Sequence, residues 1–153
     1  MPDWLAHTMI GWITGKILKI EVGLVIVGSI IPDLVKVNHI ALFLGTDLQS
    51  FFSPFHTPAG SLLVGGILAL FFLDSKKVFL AFVIGIATHF LMDFLLIGAT
   101  RGIQFLYPFS WGYWRFNEIM VDYRFTVLVC LAALGLYLYY FYSGSKKRKK
   151  QEI

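Results

Sequence analysis

The stretch that decides the fold is Gly85-Ile86-Ala87-Thr88-His89-Phe90-Leu91-Met92-Asp93-Phe94. His89 and Asp93 stand four residues apart inside an apolar run that reads from Val78 to Ile97. Four residues is about one helical turn, so both side chains fall on one face. The run is long enough to cross a bilayer. An ionisable pair there is expensive unless it meets a partner, a metal or water.

The surrounding chain is of the same character. Its 153 residues are 58% hydrophobic and only 14% charged, with a mean hydropathy of +0.74. A soluble domain carries more charge. The composition predicts an all-α, polytopic membrane helical bundle of about five membrane segments, with an interfacial helix and an aromatic interfacial loop. One membrane-embedded domain is expected over 1–142, followed by a basic cytoplasmic tail over 143–153. The formal charge of +4 comes mostly from Lys146-Lys147-Arg148-Lys149-Lys150. Such a tail fits an anchor for anionic lipid or an anionic partner, and no nucleic acid is expected. The single Cys130 excludes an intrachain disulfide. Met1-Pro2-Asp3-Trp4 lacks the basic n-region of a signal peptide, so it is read as mature chain.

Upstream of the deciding stretch, the first apolar segment runs from Trp4 to Ile20. It sets His7, Gly11 and Gly15 on one face, small enough for another helix to approach closely. The second, Val22 to Ile31, is stopped by Pro32, which delivers Asp33 at a helix end. Leu34, Val37, Ile40, Ala41 and Leu44 repeat at helical spacing, as in a helix lying in the interface, with Lys36, Asn38 and His39 facing away. Phe51 to Phe55 reads as an interfacial re-entry. Thr57-Pro58 then caps and starts a third span, which puts His56 at its mouth.

Downstream, Arg101 is followed by a segment rich in Phe, Tyr and Trp up to Trp114, read equally as an aromatic belt or a lid. Phe125 to Tyr142 is the last span and contains no charged residue.

Alternating spans gather Lys16, Lys19, Lys76, Lys77 and the five tail residues on one side, nine of the 13 Lys and Arg. The positive-inside rule makes that side cytoplasmic, with the N-terminus outside, in an integral protein of the cell membrane. His7, Asp33, His56, His89 and Asp93 then meet at the outer leaflet. The charge rule did not use them. Three histidines and two aspartates at one level fit a metal site of nitrogen and oxygen ligands, a divalent ion of the zinc type. The alternative is a hydrogen-bonded polar core in a non-enzymatic scaffold or binding protein. A small transporter is a further alternative, on the helix breaks at Pro32 and Pro58, and would need to oligomerise.

Four blocks also carry a family resemblance: Gly28-Ser29-Ile30-Ile31-Pro32-Asp33; His56-Thr57 with Gly60-Ser61-Leu62-Leu63; Thr88-His89-Phe90-Leu91-Met92-Asp93; and Gly102-Ile103-Gln104-Phe105-Leu106-Tyr107-Pro108-Phe109-Ser110. In this order they resemble the YdjM-like family of LexA-binding, inner-membrane-associated proteins classed as metal-dependent hydrolases. That family is grouped distantly with zinc-dependent phospholipase C and the P1-type nucleases. The resemblance covers roughly His7 to Trp111 and implies that His7, Asp33, His56, His89 and Asp93 bind metal. Val35 stands where the family often has a second acid, and Phe52 and Ser53 where it often has His-Arg. The remaining ligands suffice for one metal or two. The expected activity is hydrolysis of a lipid-like phosphodiester or ester in the membrane, with membrane lipids as partners. Asp33 is the candidate base and Arg101 the candidate phosphate contact.

Overall fold

The structure, a computed structural model, describes residues 4–97, 102–114, 119–120 and 123–151. Helices α1 (Trp4–Leu18) and α2 (Val22–Ile30) form the first hairpin. Its turn is set by Lys19, at φ 57°, and by the Ile20 N–H, which returns to the Gly15 carbonyl at 3.0 Å. This pattern closes a helix by satisfying a carbonyl of its last turn.

Pro32 then tightens the chain into a 3-10 turn over Ile31–Lys36, followed by α3 (Val37–Phe43) and α4 (Gln49–Phe52). A second 3-10 turn, Ser53–His56, leads into α5 (Pro58–Ala69). Helix α6 (Ser75–Leu95) carries the deciding stretch, and α7 (Tyr123–Gln151) comes last. Strands β1 (Leu96–Ile97) and β2 (Ile119–Met120) are two residues each and pair in parallel.

Helix α2 packs between α1 and α6, α5 covers α6, and α7 lies along α1. The core joins Ile31, Ala69, Val78, Phe82, Ile86, Phe90 and Ile103. Two close crossings let α2 sit this deep. A Cβ at Gly85 would lie 2.2 Å from the Val25 carbonyl oxygen, and one at Gly28 would lie 2.5 Å from that of Phe82. Only glycine permits backbones to meet this closely. The small face expected on α1 is used in the same way, with Gly11 and Gly15 buried against α2.

The helical bundle is as expected, and among the described residues one helix is by itself long and apolar enough to cross a membrane. The segment Ser75–Phe94, with 20 residues, is long and apolar enough to span, at about 30 Å. The other apolar stretches, Val22–Leu34, Pro58–Ala69 and Val127–Ser143, are shorter. Pro32 interrupts the first of these, and the turn leading to Asp74 ends the second. The interfacial helix is also shorter than the apolar spacing suggested. The 3-10 turn takes up Leu34 to Lys36, and α3 has seven residues.

Lys36 does not face away, because the tighter turn swings it back to pair with Asp33. Asn38 is buried and accepts a hydrogen bond from the Leu48 N–H at 2.7 Å. The aromatic segment is closed as a clasp by paired backbone hydrogen bonds between Ile103 and Trp114, at 2.8 and 2.9 Å. Ile103 anchors it in the core, while Phe109 and Trp111 are exposed. Helix α7 runs on from the last apolar stretch through the basic residues to Gln151.

A candidate metal centre where four helix ends meet

The cluster is assembled from four helix ends. His7 lies one turn into α1, Asp33 just beyond α2, His56 just before α5, and His89 and Asp93 in the last two turns of α6. Each position has a local cause. The Pro32 break turns Asp33 inward. His56 is held by the Thr57 cap, whose Oγ1 accepts from the Gly60 N–H at 3.1 Å and donates to the Pro54 carbonyl at 2.7 Å. The Ser61 hydroxyl fastens the same turn by donating to the Phe55 carbonyl at 2.6 Å.

All five side chains come together. His56 Nε2 lies 3.1 Å from Asp93 Oδ2, His89 Nε2 lies 3.3 Å from the same oxygen, and the two Nε2 atoms are 3.4 Å apart. His7 Nε2 approaches Asp93 Oδ1 at 3.5 Å, and its ring stacks on His89 with centroids 3.9 Å apart. Asp33 joins His7 and His89 in a second group. Within each of the two sets, His56–His89–Asp93 and His7–Asp33–His89, the ligand atoms lie within 4.8 Å of one another. His7, Asp33, His89 and Asp93 are buried, and only His56 shows a measurable edge, with 12% of its side chain exposed. Access to the cluster therefore lies beside His56.

The hydrogen bonding shows what the cluster could hold. His89 Nδ1 sits 2.8 Å from the Ser29 carbonyl oxygen. A carbonyl only accepts, so Nδ1 carries the proton and a neutral ring presents a lone pair at Nε2. That lone pair faces a carboxylate oxygen and a second imidazole nitrogen. Neither oxygen of Asp93 has a hydrogen-bond partner, nor do His7 Nδ1 and Asp33 Oδ1, although all are buried. Buried polar atoms are ordinarily satisfied, and lone pairs this close repel unless a proton or a metal cation lies between them. The donor set therefore fits a metal ion. The contact from His89 to Ser29 is of the kind that orients an imidazole able to bind a metal.

The sequence-predicted metal residues His7, Asp33, His56, His89 and Asp93 are thus one spatial group. Arg101 lies outside the described residues. Two participants escaped sequence reasoning. The Ser29 carbonyl has no residue-type signature, although the Gly28-Ser29 pair opposite Gly85 marks the crossing that delivers it. Lys36 pairs with Asp33 Oδ2 and leaves Oδ1 facing the cluster; a 3-10 turn after Pro32 was the missing step.

A helical bundle with a membrane-length helix and a buried His/Asp group able to hold a metal ion defines a class of membrane-associated protein. The chain belongs to the YdjM inner membrane protein family, whose model matches residues 3–151. No curated protein and no solved structure matches it.

Proposed function

We propose that this protein is a membrane-embedded metal-dependent hydrolase acting on a lipid-like phosphodiester or ester at the outer leaflet. One observation carries the reading: the triangle of His56 Nε2, His89 Nε2 and Asp93 Oδ2, with edges of 3.1, 3.3 and 3.4 Å. Zinc takes tetrahedral ligands at ~2.0–2.1 Å, which sets neighbouring ligand atoms about 3.3–3.4 Å apart. His56, His89 and Asp93 would hold such an ion with three protein ligands, the number that catalytic zinc sites use. An ion held there supplies Lewis acidity and makes hydroxide accessible near neutral pH.

The chain's own groups divide the remaining work. The Ser29 carbonyl fixes the His89 tautomer. Asp33 is the base, its free Oδ1 taking a proton from water at the cluster. Lys36 pairs with Asp33 Oδ2 and fixes the orientation of the carboxylate. His7 stacks on His89 and lines the second donor group with Asp33. Arg101, six residues after Leu95, is assigned to the substrate phosphate.

The membrane arrangement supports a lipid substrate. On the reading that the shorter apolar stretches also enter the bilayer and alternate across it, Lys16, Lys19, Lys76, Lys77 and the basic run of α7 share the cytoplasmic side. Tyr140 of α7 lies beside Lys16, its hydroxyl 3.5 Å from that carbonyl, so the two ends are neighbours. The cluster then opens to the outer leaflet, and the basic run of α7 meets anionic lipid on the inner one.

Elemental mass spectrometry of the purified protein tests the reading. Stoichiometric zinc is expected, reduced by an order of magnitude or more in His89→Ala and Asp93→Ala. Wild-type protein free of metal, or metal indifferent to both substitutions, overturns it. Asp33→Asn is expected to keep the metal and lose hydrolysis of a phosphodiester lipid analogue.

A further inference from the structure

We infer that the apolar groove between α5 and α6 is the seat of a lipid acyl chain, whose head lies at the metal cluster. The groove encloses about 360 Å³ and is lined by Pro58, Leu62, Val83, Ala87 and Phe94, with Phe105 of the aromatic clasp at its edge. That volume is within the ~300–1,000 Å³ of small-ligand clefts. The inference rests on the hydrolase reading and names the part of the substrate that the cluster itself does not recognise.

Helix α6 carries the connection. Gly85, His89 and Asp93 form one stripe, which faces α2 and the cluster. Val83, Ala87, Phe90 and Phe94 form the adjoining stripe, which faces the groove. Phe90 is the shared wall. It is buried, it lines the groove, and its ring lies 5.4 Å from that of His89 and 5.8 Å from that of His56. At the α5 end, Pro58 lines the groove two residues after His56. A molecule in the groove therefore ends one ring's width from the most accessible ligand of the cluster.

The occupant's chemistry follows from the lining. Every lining residue is apolar, so a peptide laid there would leave backbone groups unpaired. A hydrocarbon chain leaves none. The groove is cut into the helix long enough to span the membrane, and Leu91 at its rim is 59% exposed. What stands at the mouth of such a groove in an inner membrane protein is lipid.

The test uses the full-length protein in nanodiscs of phosphatidylethanolamine and phosphatidylglycerol, doped with a phospholipid carrying a diazirine in one acyl chain. After photolysis, peptide mass spectrometry maps the labelled positions. Labelling is expected to be several-fold higher at Leu62 and Ala87 than at Leu131 and Leu138, which are exposed on α7. Ala87→Trp fills the groove and is expected to remove that excess while zinc content stays at the wild-type level. Leu62→Trp fills it from α5 and gives the same result if Ala87→Trp does not fold. Equal labelling on the groove and α7, or an excess that survives both fillings, overturns the inference. Concentrated labelling on metal-free wild-type protein supports the groove and refutes the hydrolase reading instead. Stoichiometric zinc with even labelling does the reverse.

Discussion

Gly85→Ala puts one methyl group where α6 crosses α2 and tests how the cluster is held. The added Cβ would lie 2.2 Å from the Val25 carbonyl oxygen, 2.6 Å from Ser29 N and 2.7 Å from Gly28 C, all backbone atoms that no rotamer change can move aside. Restoring an ordinary contact of ~3.4 Å requires the helices to separate by about 1.2 Å. The same displacement carries the Ser29 carbonyl from 2.8 Å to about 4 Å from His89 Nδ1, beyond hydrogen bonding. Overpacking costs ~1–3 kcal/mol and the lost hydrogen bond ~1 kcal/mol, offset by ~1 kcal/mol of helix propensity. A net loss of ~1–3 kcal/mol is expected. Zinc affinity is expected to fall ~10–100-fold, as for other losses of an outer-sphere partner. Thermal unfolding in detergent, repeated across a zinc titration, reads both quantities. Gly23→Ala is the control, since a Cβ there meets nothing within 4 Å; it is expected to match the wild type or gain up to ~1 kcal/mol. A Gly85→Ala protein with wild-type Tm and wild-type zinc affinity would refute the reasoning.

Other perturbations have defined outcomes. Thr57→Ala removes the cap of α5 and its tie to Pro54, and is expected to cost ~1 kcal/mol in thermal stability, with Thr57→Ser recovering most of it. Chelation is expected to lower the Tm of the wild type by the equivalent of roughly 3 kcal/mol if the ion had been at a hundred times its Kd, and to leave Asp93→Ala unmoved; a wild-type Tm indifferent to chelator sinks the metal centre. At the opposite end, the hydrogen bond from Lys77 holds the exposed Asp74 carboxyl below its ordinary range. Its contribution is therefore present above the unfolded carboxylate pKa and lost as pH falls through the lower folded value. The small acid-side difference between wild type and Asp74→Asn is expected to vanish in high salt.

Much of the cluster was legible in the sequence because its members sit at helix ends. Pro32, Thr57-Pro58 and the His89/Asp93 spacing are local marks, each of which places its residue at or near the end of a helix. The small face of Gly11 and Gly15 was legible for a similar reason, since spacing four on a helix is a statement about one surface. The path between the ends was not legible. Leu34 to Leu44 has helical periodicity, yet a 3-10 turn takes its first residues because Pro32 leaves the preceding carbonyls without i+4 donors. That change of pitch brings Lys36 onto Asp33. The number of crossings is not legible from hydropathy, since a short apolar helix buried against its neighbours and a membrane span share one composition.

The crossing glycine Gly85 and the two α6 members of the cluster, His89 and Asp93, share one spacing of four, which makes the site sensitive to counting more than to composition. One residue inserted between Gly85 and His89 would turn everything beyond it by ~100°. His89 would leave the Ser29 carbonyl, and the groove stripe would rotate against the cluster. Substitutions on the lipid-facing side of α6 leave this phasing untouched, whereas a single-codon insertion or deletion there disassembles both surfaces at once. Along these two turns, the permitted variation is in side chains and not in length.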